Sequence, residues 1–261
     1  MTVRLTADDA TAIIDPSHGA RLASLRLRGH ELLVTSDAQS TGWGAYPMVP
    51  WAGRVREGRF HWRGQDVALP LGAPPHAIHG TVFDREWRQT GPATFVSALG
   101  PHWPWEGTVE SAFELGPGHL RWTLTVHGQE PMPVTLGWHP WFQRQVDGLG
   151  AATFRFEPHL MYQRDPSGIP TGTLVTAPPG PWDDCFTELT ASPQVLYADG
   201  TILELRTSCD HWVVYDERDY AFCIEPQSAP PDAFNLGPTQ IAAPGDPVVH
   251  HMLLRWTHGV G

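Results

Sequence analysis

Long apolar runs are missing from this 261-residue chain. No stretch approaches the roughly 20 residues that a membrane-spanning helix needs. Basic charge is short as well: Lys and Arg total 17 against 28 Asp and Glu, a formal net charge of −11. Nucleic acid and anionic membranes are bound through a clustered basic surface, so neither is expected as a partner. Cysteine is scarce. Cys185, Cys209 and Cys223 make an odd count without metal-type spacing, which reads as reduced thiols in the cytosol. The opening residues, Met1 to Asp9, lack the basic start and apolar stretch of a signal peptide, so a cytoplasmic protein is expected. There is no phosphate-type glycine loop, no nucleotide fingerprint and no Gly-x-Ser-x-Gly elbow, and no cofactor is expected. Helical periodicity is also nearly absent. Residues 19–27 come closest, and their leucines fit a helix no better than a strand.

What the chain does contain is short apolar alternations separated by turns. Gly and Pro number 26 each, and the apolar fraction of 41% is enough for a substantial core. Phe113 and Leu115 alternate with polar neighbours, Gly116-Pro-Gly118 turns the chain, and Leu120, Trp122, Leu124 and Val126 continue the period of two. That is a hairpin. Residues 60–69 read as another, turning at Arg63-Gly64. Further short strands are expected at 94–99, 134–137, 153–156, 195–198, 202–205, 212–215, 221–224 and 248–256. Many strands with little helix predict an all-β sandwich or barrel. The Pro-rich patches at 72–75 and 178–181 are loop-sized and no repeat is evident, so residues 1–261 are expected to form one domain.

The residues that suggest chemistry gather in five stretches. The central one is Ala221-Phe-Cys-Ile-Glu225-Pro-Gln-Ser-Ala-Pro-Pro-Asp-Ala-Phe-Asn235. It reads as an apolar strand ending in a carboxylate, followed by a proline-stiffened loop. A charge at the end of a buried strand is costly, and it serves either as an acid or base or as a structural group bonded to backbone amides. Gln227, Asp232 and Asn235 offer polar groups to the same loop. Thr135-Leu-Gly-Trp-His139-Pro-Trp-Phe142 fences a histidine with Trp138, Pro140, Trp141 and Phe142, surroundings that limit solvent and shift a pKa. Taken singly, it reads equally as a buried histidine bonded to backbone. Tyr46-Pro-Met-Val-Pro-Trp-Ala-Gly-Arg54 leads two prolines and two aromatics to an arginine. His76-Ala-Ile-His79 has two histidines three apart, but no third or fourth metal ligand is signalled, so no metal is expected. Trp182-Asp183-Asp184 sets adjacent acids beside aromatics. The 12 tryptophans, beyond filling a core, provide flat surfaces of the kind that meet the apolar face of a sugar ring.

Five motifs in order give these residues a family likeness. Tyr-Pro-Met-x-Pro-Trp-x-x-Arg54, His-x-x-His79-Gly, Gly-x-His139-Pro-x-Phe, Asp183-Asp-x-Phe186 and Glu225-Pro-Gln-x-x-x-Pro-Asp-Ala-x-Asn235 together resemble the aldose 1-epimerase (galactose mutarotase) family. The resemblance implies a large antiparallel β-sandwich and a small-molecule aldose as partner. It implies that Glu225 is the general base and His139 the general acid, and that Arg54, His79 and Asp183 hold the sugar. Three features depart from the galactose mutarotases: Gly53 stands where Asn usually precedes the arginine, Thr81 replaces a second glycine, and the His139 loop lacks the Asn and Tyr that usually surround the histidine. Mutarotation is expected, without galactose in particular. The competing readings are a non-catalytic carbohydrate-binding β domain, a mutarotase for sugar phosphates, and a metal-dependent isomerase built on His76 and His79.

Overall fold

A computed structural model describes residues 1–237 and 239–259. Among these residues the chain builds two large antiparallel sheets, one of eleven strands and one of nine, with three two-stranded ladders beside them. A single helical turn, Ala233–Leu236, and two 3-10 turns complete the structure. No helix among the described residues is long and apolar enough to cross a membrane. The expected hairpin pairs Gly107–Gly116 with His119–Gly128, Phe113 opposite Trp122, and the smaller one pairs Arg59–Trp62 with Gln65–Ala68. The ambiguous stretch after Gly19 is a strand, Arg21–Leu27. Its residues Leu22, Leu25 and Leu27 all lie in the buried core.

Five neighbouring strands of the larger sheet position the site. Their order is Ala45–Met48, Gly137–Gln143, Ala221–Gln227, His211–Tyr215 and Asp183–Leu189. Side chains alternate between the faces of a sheet. Trp138, Phe142, Phe222, Ile224 and Trp212 therefore point into the main core, where Trp138 meets Trp122 of the second sheet edge-on. Tyr46, Trp141, Cys223 and Tyr215 pack together in a separate cluster on the opposite face.

Here the structure corrects the expected boundaries. Glu225 does not end a strand, and the expected strand at 134–137 is in fact Met132–Val134 followed by Gly137–Gln143, with His139 inside the second. Every residue of Ala221–Gln227 is buried, so the polar-outside alternation that marks a half-buried strand is missing. Pro226 looks like a terminator in sequence, yet it lies within the ladder, opposite Trp212.

Candidate active site

The pairing of these strands determines which side chains meet. Gly137 is opposite Gln227 and Trp141 opposite Cys223, and the same register lines His139 up with Glu225. His139 is in turn opposite Tyr46, and Glu225 opposite Val213. One row across the sheet thus reads Tyr46, His139, Glu225, Val213, Cys185. The next row holds Trp141, Cys223, Tyr215 and Asp183. The two rows face a cleft of about 590 Å³. Glu225, His139, Arg54, His79 and Asp183 all line it.

At its floor His139 Nε2 lies 3.1 Å from Glu225 Oε1, with both side chains buried. Two aromatic rings stack near-parallel to the imidazole, Tyr46 at 4.8 Å between centroids and Trp141 at 5.3 Å. His79 meets it edge-on at 5.1 Å. Gln227 Nε2 donates to Glu225 Oε2 at 3.1 Å, holding the carboxyl from the side away from His139. Burial pushes the Glu225 carboxyl well above the usual range, and the nearby Asp183 charge adds to it. Burial pushes His139 down to about 3 and His79 well below the ordinary imidazole value. The neutral pair and the ion pair hold the same single proton and differ only in its position across the 3.1 Å contact. Burial opposes any state in which one partner is charged alone.

Arg54 and His79 arrive on a short ladder, Arg54–Val55 against Ala77–Ile78. His79 N–H donates to Gly53 O at 3.0 Å. His79 and Gly80 are both left-handed, φ 59° and 83°, and a Cβ on Gly80 would sit 2.0 Å from Val49 O. This accounts for glycine after the histidine. Gly53 is left-handed too, φ 67°, a conformation that Asn also visits readily, and a Cβ there would press on the Pro231 ring at 2.7 Å. Thr81 replaces a glycine without strain, and its N–H donates to Val49 O at 2.9 Å.

Asp183 reaches the cleft from the first position of its strand. Arg54 lies 3.8 Å from its carboxylate and Arg164 3.3 Å, while Arg164 also pairs with Asp184 at 2.6 Å. Asp232 and Asn235 do not line the cleft. Asp232 accepts the Arg56 N–H at 2.9 Å and Asn235 donates to Arg59 O at 2.9 Å, so both tie down the Arg54 ladder. His76 accepts the Glu57 N–H at 3.1 Å and is likewise outside the cleft. Among the tryptophans Trp141 lines the cleft, whereas Trp51, Trp87, Trp122 and Trp138 are core.

Sequence reasoning missed Arg21. It is fully buried, its guanidinium donates to the carbonyls of His18, Ser40, Trp43 and Phe83 at 2.8–3.0 Å, and it lies 5.4 Å from the Tyr46 ring. Burial lowers its pKa only to about 10, so it remains a cation behind the stack. Little local distinguishes it from a surface arginine, because three of its four partners are carbonyls of distant segments.

Residues 1–255 match the family model described as aldose 1-epimerase. The chain belongs to the aldose 1-epimerase family. It is 26% identical over 250 residues to the uncharacterized protein YphB of Escherichia coli (strain K12), covering 83% of this chain and 84% of that one. A galactose mutarotase-like protein from Clostridium acetobutylicum superimposes with a TM-score of 0.86 at 17% identity, covering 98% and 95% of the two chains. An aldose epimerase homologue from C. elegans does so at 0.83 and 17%, covering 100% and 99%. These structures share the fold, a galactose mutarotase-like β-sandwich. As an aldose 1-epimerase the chain is an isomerase, and its activity is the interconversion of the α and β anomers of an aldose.

Proposed function

We propose that Glu225 and His139 carry the proton transfers of this mutarotation, on a free rather than phosphorylated aldose held by Arg54, His79 and Asp183. The observation that carries the reading is the 3.1 Å contact between the two groups. The anomeric hydroxyl oxygen and the ring oxygen are bonded to the same carbon, so a base for one and an acid for the other must stand side by side. Glu225, as carboxylate, takes the proton of the anomeric hydroxyl. The bond from that carbon to the ring oxygen breaks, and the ring oxygen takes the proton of the His139 imidazolium. The open aldehyde turns about the adjacent bond, and closure on its other face returns both protons. Opening converts the ion pair into the neutral pair and closure converts it back. Both forms of the one-proton site are therefore used, and no proton is gained or lost overall.

The stacked rings support the acid role, since an aromatic face favours a cation against it while fixing the plane of the imidazole. His79, held neutral by burial, adds no repulsion, and its Nδ1 has no hydrogen-bond partner. Free aldose is favoured by charge. Asp183 already faces Arg54 and Arg164, and Asp37 and Glu217 line the same cleft, so its carboxylates outnumber its two arginines, Arg54 and Arg218. The test is polarimetry on freshly dissolved single anomers, each aldose both free and 6-phosphorylated. Acceleration confined to the free sugars is expected. Faster turnover of the phosphates would reverse the substrate reading, and binding without acceleration would leave only a carbohydrate-binding domain.

The pH profile follows from the single proton. On the acidic side a second proton creates a lone buried imidazolium, which burial resists. On the basic side loss of the shared proton leaves a lone buried carboxylate, which burial also resists. The acidic limb therefore moves down and the basic limb up. The profile of kcat/KM is expected to be a bell whose plateau is wider than the interval from about 4.3 to about 6.5 set by free Glu and His. A narrow bell inside that interval would count against a shared proton.

A further inference from the structure

Cys223 has no part in the proton transfers, yet it belongs to the same patch of sheet. It precedes Glu225 by two positions, so its thiol projects from the same face, one row along from His139. One ligand atom each from His139, Cys223 and Glu225 all lie within 4.8 Å of one another, and all three residues are buried. We propose that these three residues bind a borderline-soft divalent cation, Zn²⁺ above all, and that the ion inhibits the enzyme by occupying both members of the catalytic pair. The inhibition rests on the function proposed above; the binding site does not.

The donor set suits the ion: a thiolate, an imidazole nitrogen and a carboxylate oxygen are the ligands that zinc takes. At ordinary zinc–ligand distances, tetrahedral donors lie roughly 3.3–3.7 Å apart. The His139 and Glu225 donors, 3.1 Å apart, need to part slightly. No donor pair in the trio is farther apart than 4.8 Å, so the thiol needs to approach by about 1 Å at most. Charge favours the complex. A dication with one thiolate, one carboxylate and a neutral imidazole sums to zero, a state that burial does not penalise as it penalises a lone ion. His139 and Glu225 line the cleft, through which the ion would enter, and Cys223 is fully buried behind them. His139 Nδ1 lacks the carboxylate or carbonyl partner that usually orients a metal-bound imidazole. Binding is accordingly reversible, an inhibitor's rather than a resident metal's.

Binding displaces two protons, that of the thiol and the one the pair shares. The inhibition constant should therefore fall by about a hundredfold for each unit rise in pH while both are bound in the free enzyme. Cys185 provides the control. It also faces this side of the sheet and lies in the row of Glu225, but with the Val213 strand between, roughly 9–10 Å away.

The experiment uses the full chain, dialysed against a strong chelator and then titrated with Zn²⁺ or Co²⁺. Dialysis is expected to leave activity intact. Zn²⁺ should then inhibit in competition with the aldose, chelator should restore turnover, and Co²⁺ should give a thiolate-to-cobalt charge-transfer band. Cys223→Ala should keep metal-free turnover, lose the band and weaken inhibition on the order of 10²-fold or more, since even outer-shell changes cost 10–100-fold in metal affinity. Cys185→Ser should match wild type in every respect. Unchanged zinc inhibition in Cys223→Ala, or a wild-type cobalt spectrum without the thiolate band, overturns the proposal. So does activity that vanishes on chelation and returns with zinc. If Cys223→Ala does not fold, Cys223→Ser and the wild-type cobalt spectrum decide. If no aldose is turned over, the cobalt band still reports on the site, so failure of the metal proposal and failure of the catalytic one are distinguishable.

Discussion

Glu225→Gln is expected to fold as the wild type does and to lose on the order of 10²–10⁴-fold in turnover, the range that a positioned general base contributes. The substitution keeps the size of the side chain and one acceptor oxygen, so the Gln227 amide, 3.1 Å from Glu225 Oε2, retains a partner. An amide cannot take the anomeric proton at neutral pH. It also removes the alternative location for the proton on His139, so the one-proton pair ceases to exist. Binding should suffer less than turnover, because Arg54, His79 and Asp183 are untouched. Circular dichroism establishes the fold, and polarimetry with single-anomer sugar gives kcat and KM. Turnover within a few-fold of wild type would take Glu225 out of the mechanism.

His139→Asn is expected to leave a weak enzyme and to abolish the basic limb of its pH profile. The wild-type limb arises because the pair loses its only proton, and Asn has no proton to lose in that range. The Tyr46 and Trp141 rings would also lose the imidazole they stack on, so some loss of stability should accompany the loss of activity. The decisive measurement is the double variant. Groups that act as one unit are strongly non-additive. Glu225→Gln should therefore cost far less in the His139→Asn background than alone. Fully multiplicative losses would mean that the two side chains act independently, and the shared-proton mechanism would be abandoned while the fold and family remained.

The legible part of this protein was local. Leu120, Trp122, Leu124 and Val126 alternate because their strand has one face in the core, and Gly116-Pro-Gly118 supplies a turn of the right length. The strands that build the floor of the cleft run longer than their sequence pattern suggests, for the opposite reason. In Gly137–Gln143 and Ala221–Gln227 nearly every residue is buried, so the pattern that marks a strand is absent where the chemistry lies. Gln227, read as a loop residue, is the strand neighbour that holds Glu225, an outcome visible only once the strand is extended past Pro226.

The chain alone determined the all-β class, through its period-two segments and its turns, and through five ordered motifs it pointed to the residues worth naming. Those are properties of neighbours in sequence. Tertiary structure decided that His139 and Glu225 face each other, that Tyr46 and Trp141 stack on the imidazole, and that Arg21 lies against the Tyr46 ring. It also separated Asp183, on the cleft, from Asp232 and Asn235, which brace a backbone. Each of these depends on register between strands far apart in the chain. A shift of one residue would turn every side chain to the other face. Register is set by packing across the whole sheet. The protonation of the pair is likewise a tertiary property, because burial and contact, not residue type, place its single proton between two groups that would each ionise separately in water.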